Sequence, residues 1–144
     1  MIPLAVECAM SSPVQTVTAE CSAVEAAQRM RADGVGSLVV RDDTDAIAGL
    51  VTQSDIIEVL AAGADMATTT VADLMSSPVV TVGSDDRILA AAELMKNNSV
   101  RRLPVVDDGE LVGIVTTTDL THYLPRLRGT ILRNRPELNP PVTQ

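Results

Sequence analysis

The sequence predicts an α+β fold with α/β-type layers, in which two β-α-β-β-α repeats pack about a pseudo-twofold axis. Three observations predict it. "MSSPVQTV" at residues 10–17 recurs as "MSSPVVTV" at 75–82, an offset of 65. Ala26, Ala27 and Met30 recur as Ala91, Ala92 and Met95 at the same offset. "VGSLVVRDD" at 35–43 matches "VRRLPVVDD" at 100–108; one residue then drops out, and "GLVTQSDI" at 49–56 matches "GIVTTTDL" at 113–120. Self-similarity from residue 9 to 124 is a duplication, and it governs every local reading.

Each copy runs through the same elements. After Pro13, the apolar run Val14 to Val17 predicts a short strand. Ala23, Ala26, Ala27 and Met30 recur at i, i+3, i+4 and i+7, the stripe of an amphipathic helix. Ile88, Ala91, Ala92 and Met95 repeat it. "SLVV" and "LPVV" read as buried strands, each followed by an Asp-Asp turn. "AIAGLVT" and "ELVGIVT" are the next strands and lead into helices at about 54–62 and 118–124. The chain thus divides into a first repeat with its N-terminal segment (1–64), a second repeat (65–124) and a basic, proline-containing tail (125–144). In that tail a short helix would set Leu127, Ile131 and Leu132 on one apolar face opposite four arginines. A lone unit of about 60 residues buries only about 60% of its unfolded surface. Two units packed sheet to sheet share one core, and their junction creates two related clefts, common places for ligands.

Composition narrows the function. Apolar residues make up 46% of the 144, yet Phe and Trp are absent and Tyr123 is the sole aromatic. The core is therefore aliphatic and methionine-based, and base-stacking platforms are missing. Residues 1–124 carry 18 acidic and 7 basic side chains, a balance of −11, which repels a phosphate backbone and argues against nucleic acid. Ten Arg and one Lys beside twelve Asp suit a halophilic surface, and a GC-rich genome is the alternative source of the Arg excess. No apolar run approaches the ~18 residues of a membrane span, and "MIPLAVECAM" lacks the basic start of a signal peptide. The expectation is a cytoplasmic protein with no membrane partner. Cys8 and Cys21 have no metal-type spacing, and His122 is the only histidine, so no metal site is expected. No Ser-His-Asp, Cys-His or paired-carboxylate arrangement stands out, so the chain reads as no enzyme, with no catalytic residues.

Chemistry concentrates where each final strand meets its helix. Thr52-x-x-Asp55 and Thr116-x-x-Asp119 fit the capping box, as do Ser22-x-x-Glu25 and Thr70-x-x-Asp73. Taken alone, that pattern is a helix cap. Three further features favour a ligand. Gly49 and Gly113, three residues earlier, let a ligand or a backbone approach closely. Hydroxyls are doubled, Thr52 with Ser54 and Thr116 with Thr118, at helix starts suited to phosphate. A carboxylate there offers two acceptor oxygens to the vicinal hydroxyls of a ribose.

A duplicated β-α-β-β-α unit ending in Gly-apolar-apolar-Thr-x-Ser/Thr-Asp resembles a tandem pair of CBS (cystathionine β-synthase) domains, a Bateman module. The resemblance covers residues 8–124 and is carried most strongly by "MSSPVVTV" and "VRRLPVVDDGELVGIVTTTDL". It implies a stand-alone regulatory module that needs no cofactor and binds AMP, ADP, ATP or S-adenosylmethionine in its clefts. It would form a homodimer and signal to a regulated protein in trans. Carried over by position, one site takes Asp119, Thr116, Thr118 and Ile114 with Thr16, Val35, Gly36 and Ser37. The other takes Asp55, Thr52, Ser54 and Leu50 with Thr81, Val100, Arg101 and Pro104. Arg101 and Arg102 stand where the first copy has Gly36 and Ser37, and Arg suits bidentate phosphate contacts; pairing with Asp107 or Asp108 is the alternative. Val39 departs from the pattern that Pro104 keeps, so the two sites are not expected to be equal. The rival reading is a scaffold of the same fold whose clefts stay empty; a nucleotide-acting enzyme ranks below it.

Overall fold

Two hairpins with near-identical geometry form the frame. In the computed structural model, which describes residues 4–77 and 79–122, β2 (Ser37–Arg41) pairs antiparallel with β3 (Ile47–Thr52), and β5 (Arg102–Asp107) pairs antiparallel with β6 (Glu110–Thr116). Each ladder carries a bulge, at Val40/Arg41 and at Val105/Val106. The Asp-Asp turns close the hairpins. Asp42 accepts hydrogen bonds from the Thr44 and Ala46 amides, and Asp108 and Gly109 take the left-handed backbone that a tight turn needs.

A third strand joins each sheet in parallel: β1 (Thr16–Thr18) beside β2, and β4 (Val82–Gly83) beside β5. Parallel neighbours need a crossover, and the two apolar stripes supply it as α1 (Ala23–Asp33) and α4 (Ile88–Asn98). Ala23, Ala26 and Met30 are buried on α1, and Ile88, Ala91 and Met95 on α4. Gly34 and Ser99 end these helices in the left-handed region. The predicted helices after β3 and β6 are α2 (Gln53–Ala61) and α5 (Thr117–Thr121). A short α3 (Val71–Leu74) begins the second "MSSP" passage. The fold is the α+β pair of three-stranded sheets that the duplication predicts. The tail lies outside the described residues.

The units exchange their leading segments, which sequence spacing alone does not reveal. Val71 is buried in the first core among Leu38, Val40 and Val51. Val6, its equivalent, is buried in the second core among Leu103, Val105 and Val115. The backbone repeats the exchange bond for bond. Val71 donates to the Cys21 carbonyl at 2.7 Å, and Val6 donates to the Asp86 carbonyl at 2.8 Å. Each core is thus completed by the segment that leads into the opposite repeat, which removes the marginality of a lone unit.

The repeated "MSSP" passages then run along the final strands. Ser76 bridges Leu50 of β3, and Ser11 bridges Ile114 of β6. This identifies what approaches the two glycines. A Cβ on Gly49 would meet Met75 Sδ at 2.6 Å and the Ser76 carbonyl at 2.9 Å; one on Gly113 would meet Met10 Sδ and the Ser11 carbonyl. The glycines admit the chain's own backbone, not a ligand.

Candidate functional site

Three of the four predicted capping boxes close in both directions; in the fourth, Asp73 Oδ2 accepts from the Thr70 amide and hydroxyl while the Asp73 amide donates to the Thr70 carbonyl. Thr52 Oγ1 accepts from the Asp55 amide at 3.3 Å, while Asp55 Oδ2 accepts from the Thr52 amide at 2.8 Å and from its hydroxyl at 3.0 Å. Thr116 Oγ1 accepts from the Asp119 amide at 3.1 Å, and Asp119 Oδ2 from the Thr116 amide at 2.9 Å. The pairs differ in one respect. The Thr52 hydroxyl is spent on Asp55, whereas the Thr116 hydroxyl keeps its proton for another acceptor. On both carboxylates the Oδ1 oxygen has no partner among the described residues.

Few helix-start amides remain open on α2. The Gln53 amide donates to the Gly36 carbonyl at 3.0 Å, as the Thr117 amide does to Arg101. With Asp55's amide capped, Ser54 carries the uncommitted donor of that first turn. Phosphate recognition here therefore falls to hydroxyls and side-chain cations more than to bare amides.

These helix starts face a cleft of about 520 Å³ between the repeats, within the ~300–1,000 Å³ range of ligand sites. The first repeat contributes Leu50, Thr52 and Ser54, and the second contributes Val100, Arg101 and Arg102. That brings together five residues assigned from sequence to one site, with Arg102, the second candidate for phosphate contact, beside them. Thr116 and Thr118, assigned to the mate, line the same cleft. Ser76, Ser99 and Thr117 line it too and were missed. Ser76 and Ser99 had a readable signal: they are the equivalents of Ser11 in "MSSP" and of the helix-ending Gly34. An annex of about 50 Å³ shares Leu50, Val100 and Arg102 and adds Val79 and Val80 as apolar wall.

The remaining assigned residues lie off this lining. Asp55 and Asp119 are half-buried in their caps, Pro104 is wholly buried within β5, and Thr81 is half-buried just before β4. Ile114 is bridged to Ser11. Thr16 begins β1 opposite Val39, and its carbonyl accepts from Arg29 at 3.0 Å. Val35 packs on the first core, and Ser37 lies opposite Thr52. Gly36 faces Arg102, whose Nη2 would stand 3.2 Å from a Cβ added there.

Charge at the cleft has no counter-ion among the described residues. The ion pairs among the described residues are Arg29–Asp33 and Arg41–Asp45, so Arg101 and Arg102 pair with neither Asp107 nor Asp108. Arg102 is half-buried, with no acceptor for its guanidinium among the described residues. Two guanidiniums without an ion-pair partner among the described residues, beside seven hydroxyl side chains, make an anion-receiving wall, and Leu50 and Val100 supply an apolar one. No helix among the described residues is long and apolar enough to cross a membrane, and no cluster of three or more His, Cys, Asp or Glu that could hold a metal occurs among them.

Comparison with known proteins agrees with the duplication. The CBS domain family matches residues 6–62 and again 71–126. Hypoxic response protein 1 of Mycobacterium tuberculosis is 36% identical over 117 residues, 81% of this chain and 82% of that protein. The uncharacterized protein MK0525 of Methanopyrus kandleri is 40% identical over 122 residues, 83% of this chain; the match spans only 59% of that protein's length. Among solved structures, the CBS domain pair of protein MJ0100, in complex with 5′-methylthioadenosine and S-adenosyl-L-methionine, aligns with a TM-score of 0.78. It shares 27% identity, over 87% of this chain and 98% of the other. The CBS domain protein TA0289 of Thermoplasma acidophilum aligns with a TM-score of 0.79 at 30% identity, over 93% and 78% of the two chains.

Proposed function

The chain belongs to the CBS domain family, and on that footing we propose that it is a regulatory, non-enzymatic module that senses an adenosine-containing ligand and signals to a partner protein in trans. The observation that carries this reading is the cleft between the repeats, with its apolar wall, its hydroxyls and two arginines that have no ion-pair partner among the described residues. The MJ0100 pair holds adenosyl ligands within the same fold, which supports the same ligand class here.

In this reading adenine lies between Leu50 and Val100, with Val79 and Val80 at its edge. The open Oδ1 of Asp55 accepts from the ribose, and Ser54, Thr116, Thr118, Arg101 and Arg102 meet the phosphate end. The pseudo-symmetric position would use Asp119 and Ile114 with Thr16, Val35, Gly36 and Ser37. The module acts as a homodimer in the cytoplasm, and its output is a change in the shape offered to the regulated protein.

Thermal unfolding with AMP, ADP, ATP and S-adenosylmethionine at about a millimolar tests the reading. A ligand at 100 times its dissociation constant stabilises by about 2.7 kcal/mol. A raised midpoint, lost when Arg101 and Arg102 are both replaced by Ala, is expected. No shift with any ligand favours the empty-cleft scaffold.

A further inference from the structure

We propose that the basic tail docks on the outer face of α2 of its own chain, setting Leu127, Ile131 and Leu132 against Ile57 and Leu60. The inference stands apart from the ligand reading and concerns a surface that reading leaves unused. Ile57 and Leu60 are 63% and 58% exposed, the large apolar side chains left open to solvent among the described residues. They lie three residues apart on α2 and so adjoin on one face. Ile56 belongs to the inner face and is buried in the first core. The outer pair is left uncovered by the described residues.

Charge favours one occupant. From Asp42 to Asp86 the chain carries nine acidic side chains and no basic one. Glu58, beside the apolar pair on α2, is exposed. A second copy laid on this face brings the same acidic stretch and is repelled. Residues 125–135 hold Arg126, Arg128, Arg133 and Arg135 with no acid, interleaved with Leu127, Ile131 and Leu132. The tail thus offers both what the apolar pair needs and what its acidic border attracts. Length permits the contact. Ser54 at the start of α2 and Thr118 at the start of α5 line the same cleft. Leu60 and His122 lie about 9 and 6 Å further along their helices at ~1.5 Å per residue. The stretch from His122 to Ile131 spans up to about 30 Å when extended, which leaves about 15 Å for the crossing.

Amide hydrogen exchange of the full chain, followed by mass spectrometry, tests the contact. Residues 126–132 are expected to exchange at least about tenfold more slowly than an unstructured segment, the scale of one buried aliphatic side chain. Ile57→Gln/Leu60→Gln removes the apolar face without touching the core, and should abolish that protection while β2 and β5 keep theirs. Leu127→Gln/Ile131→Gln makes the change from the tail side and should release the tail as fully, which covers a failure of the α2 variant to fold. A tail unprotected in the wild type overturns the proposal, as does protection that survives in the α2 variant. Protection that vanishes on dilution assigns the tail to a second copy and overturns it equally.

Discussion

Leu50 and Ser76 exchange both of their backbone hydrogen bonds, at 3.1 and 2.9 Å, and so stitch the passage into the second repeat onto the last strand of the first. The approach is close because Gly49 has no side chain. Gly49→Ala places a Cβ 2.9 Å from a carbonyl held by that bridge. We expect a loss of about 1–3 kcal/mol, typical of overpacking, with the same effect at Gly113. Denaturant midpoints check this. Adding Met75→Ala to Gly49→Ala should not restore stability, because the carbonyl remains.

The exchanged segments predict where damage appears. Removing residues 1–9 takes Val6 out of the second core. Amide hydrogen exchange should then lose protection in β4, β5 and β6 before β1, β2 and β3. Loss confined to the first sheet would contradict the exchange. Substituting the core directly, Leu38→Ala or Leu103→Ala, should cost about 2–5 kcal/mol, since both side chains are fully buried.

The caps stabilise with or without ligand. Thr52→Ala and Thr116→Ala should each lower stability by about 1 kcal/mol in the absence of nucleotide, read as a midpoint change at constant denaturant slope. Binding measured on any variant of Asp55 or Asp119 therefore needs its own stability as baseline.

The Glu25 carboxyl is held below its usual 4.5, first by the Ser22 backbone N–H and then by the Ser22 hydroxyl. A depressed carboxyl stabilises the fold when ionised. Its contribution is complete above the unfolded value and is lost as pH falls through the folded one. Ser22→Ala should move Glu25 part of the way back up, seen by NMR titration of the carboxyl. An unchanged value would contradict the hydroxyl's share. The residue is fully exposed, so the effect is local.

The duplicated fold was legible because the two copies preserve pattern as well as composition. Ala23 to Met30 and Ile88 to Met95 each fix a helix face, and the capping boxes fix where α2 and α5 begin. The exchange of Val6 and Val71 was not legible, because periodicity assigns a residue to a buried face without naming the core it enters. Gly49 and Gly113 were recognised as sites of close approach, but whether ligand or backbone came near depended on a segment 26 residues beyond Gly49 and about 100 before Gly113. At the site, the sequence grouped Leu50, Thr52 and Ser54 with Val100 and Arg101 through family resemblance. Thr116 and Thr118 joined them only in the folded chain, where β6 brings Thr116 opposite Arg102.

The most direct test of the sensor reading is the thermal midpoint of the purified chain titrated with ADP, beside the Arg101→Ala/Arg102→Ala variant. A midpoint that climbs with the logarithm of ADP concentration in the wild type and stays flat in the variant is the predicted result. A wild-type midpoint unmoved by ADP, AMP, ATP and S-adenosylmethionine alike would contradict it, leaving the threonines and aspartates of both repeats as helix caps alone.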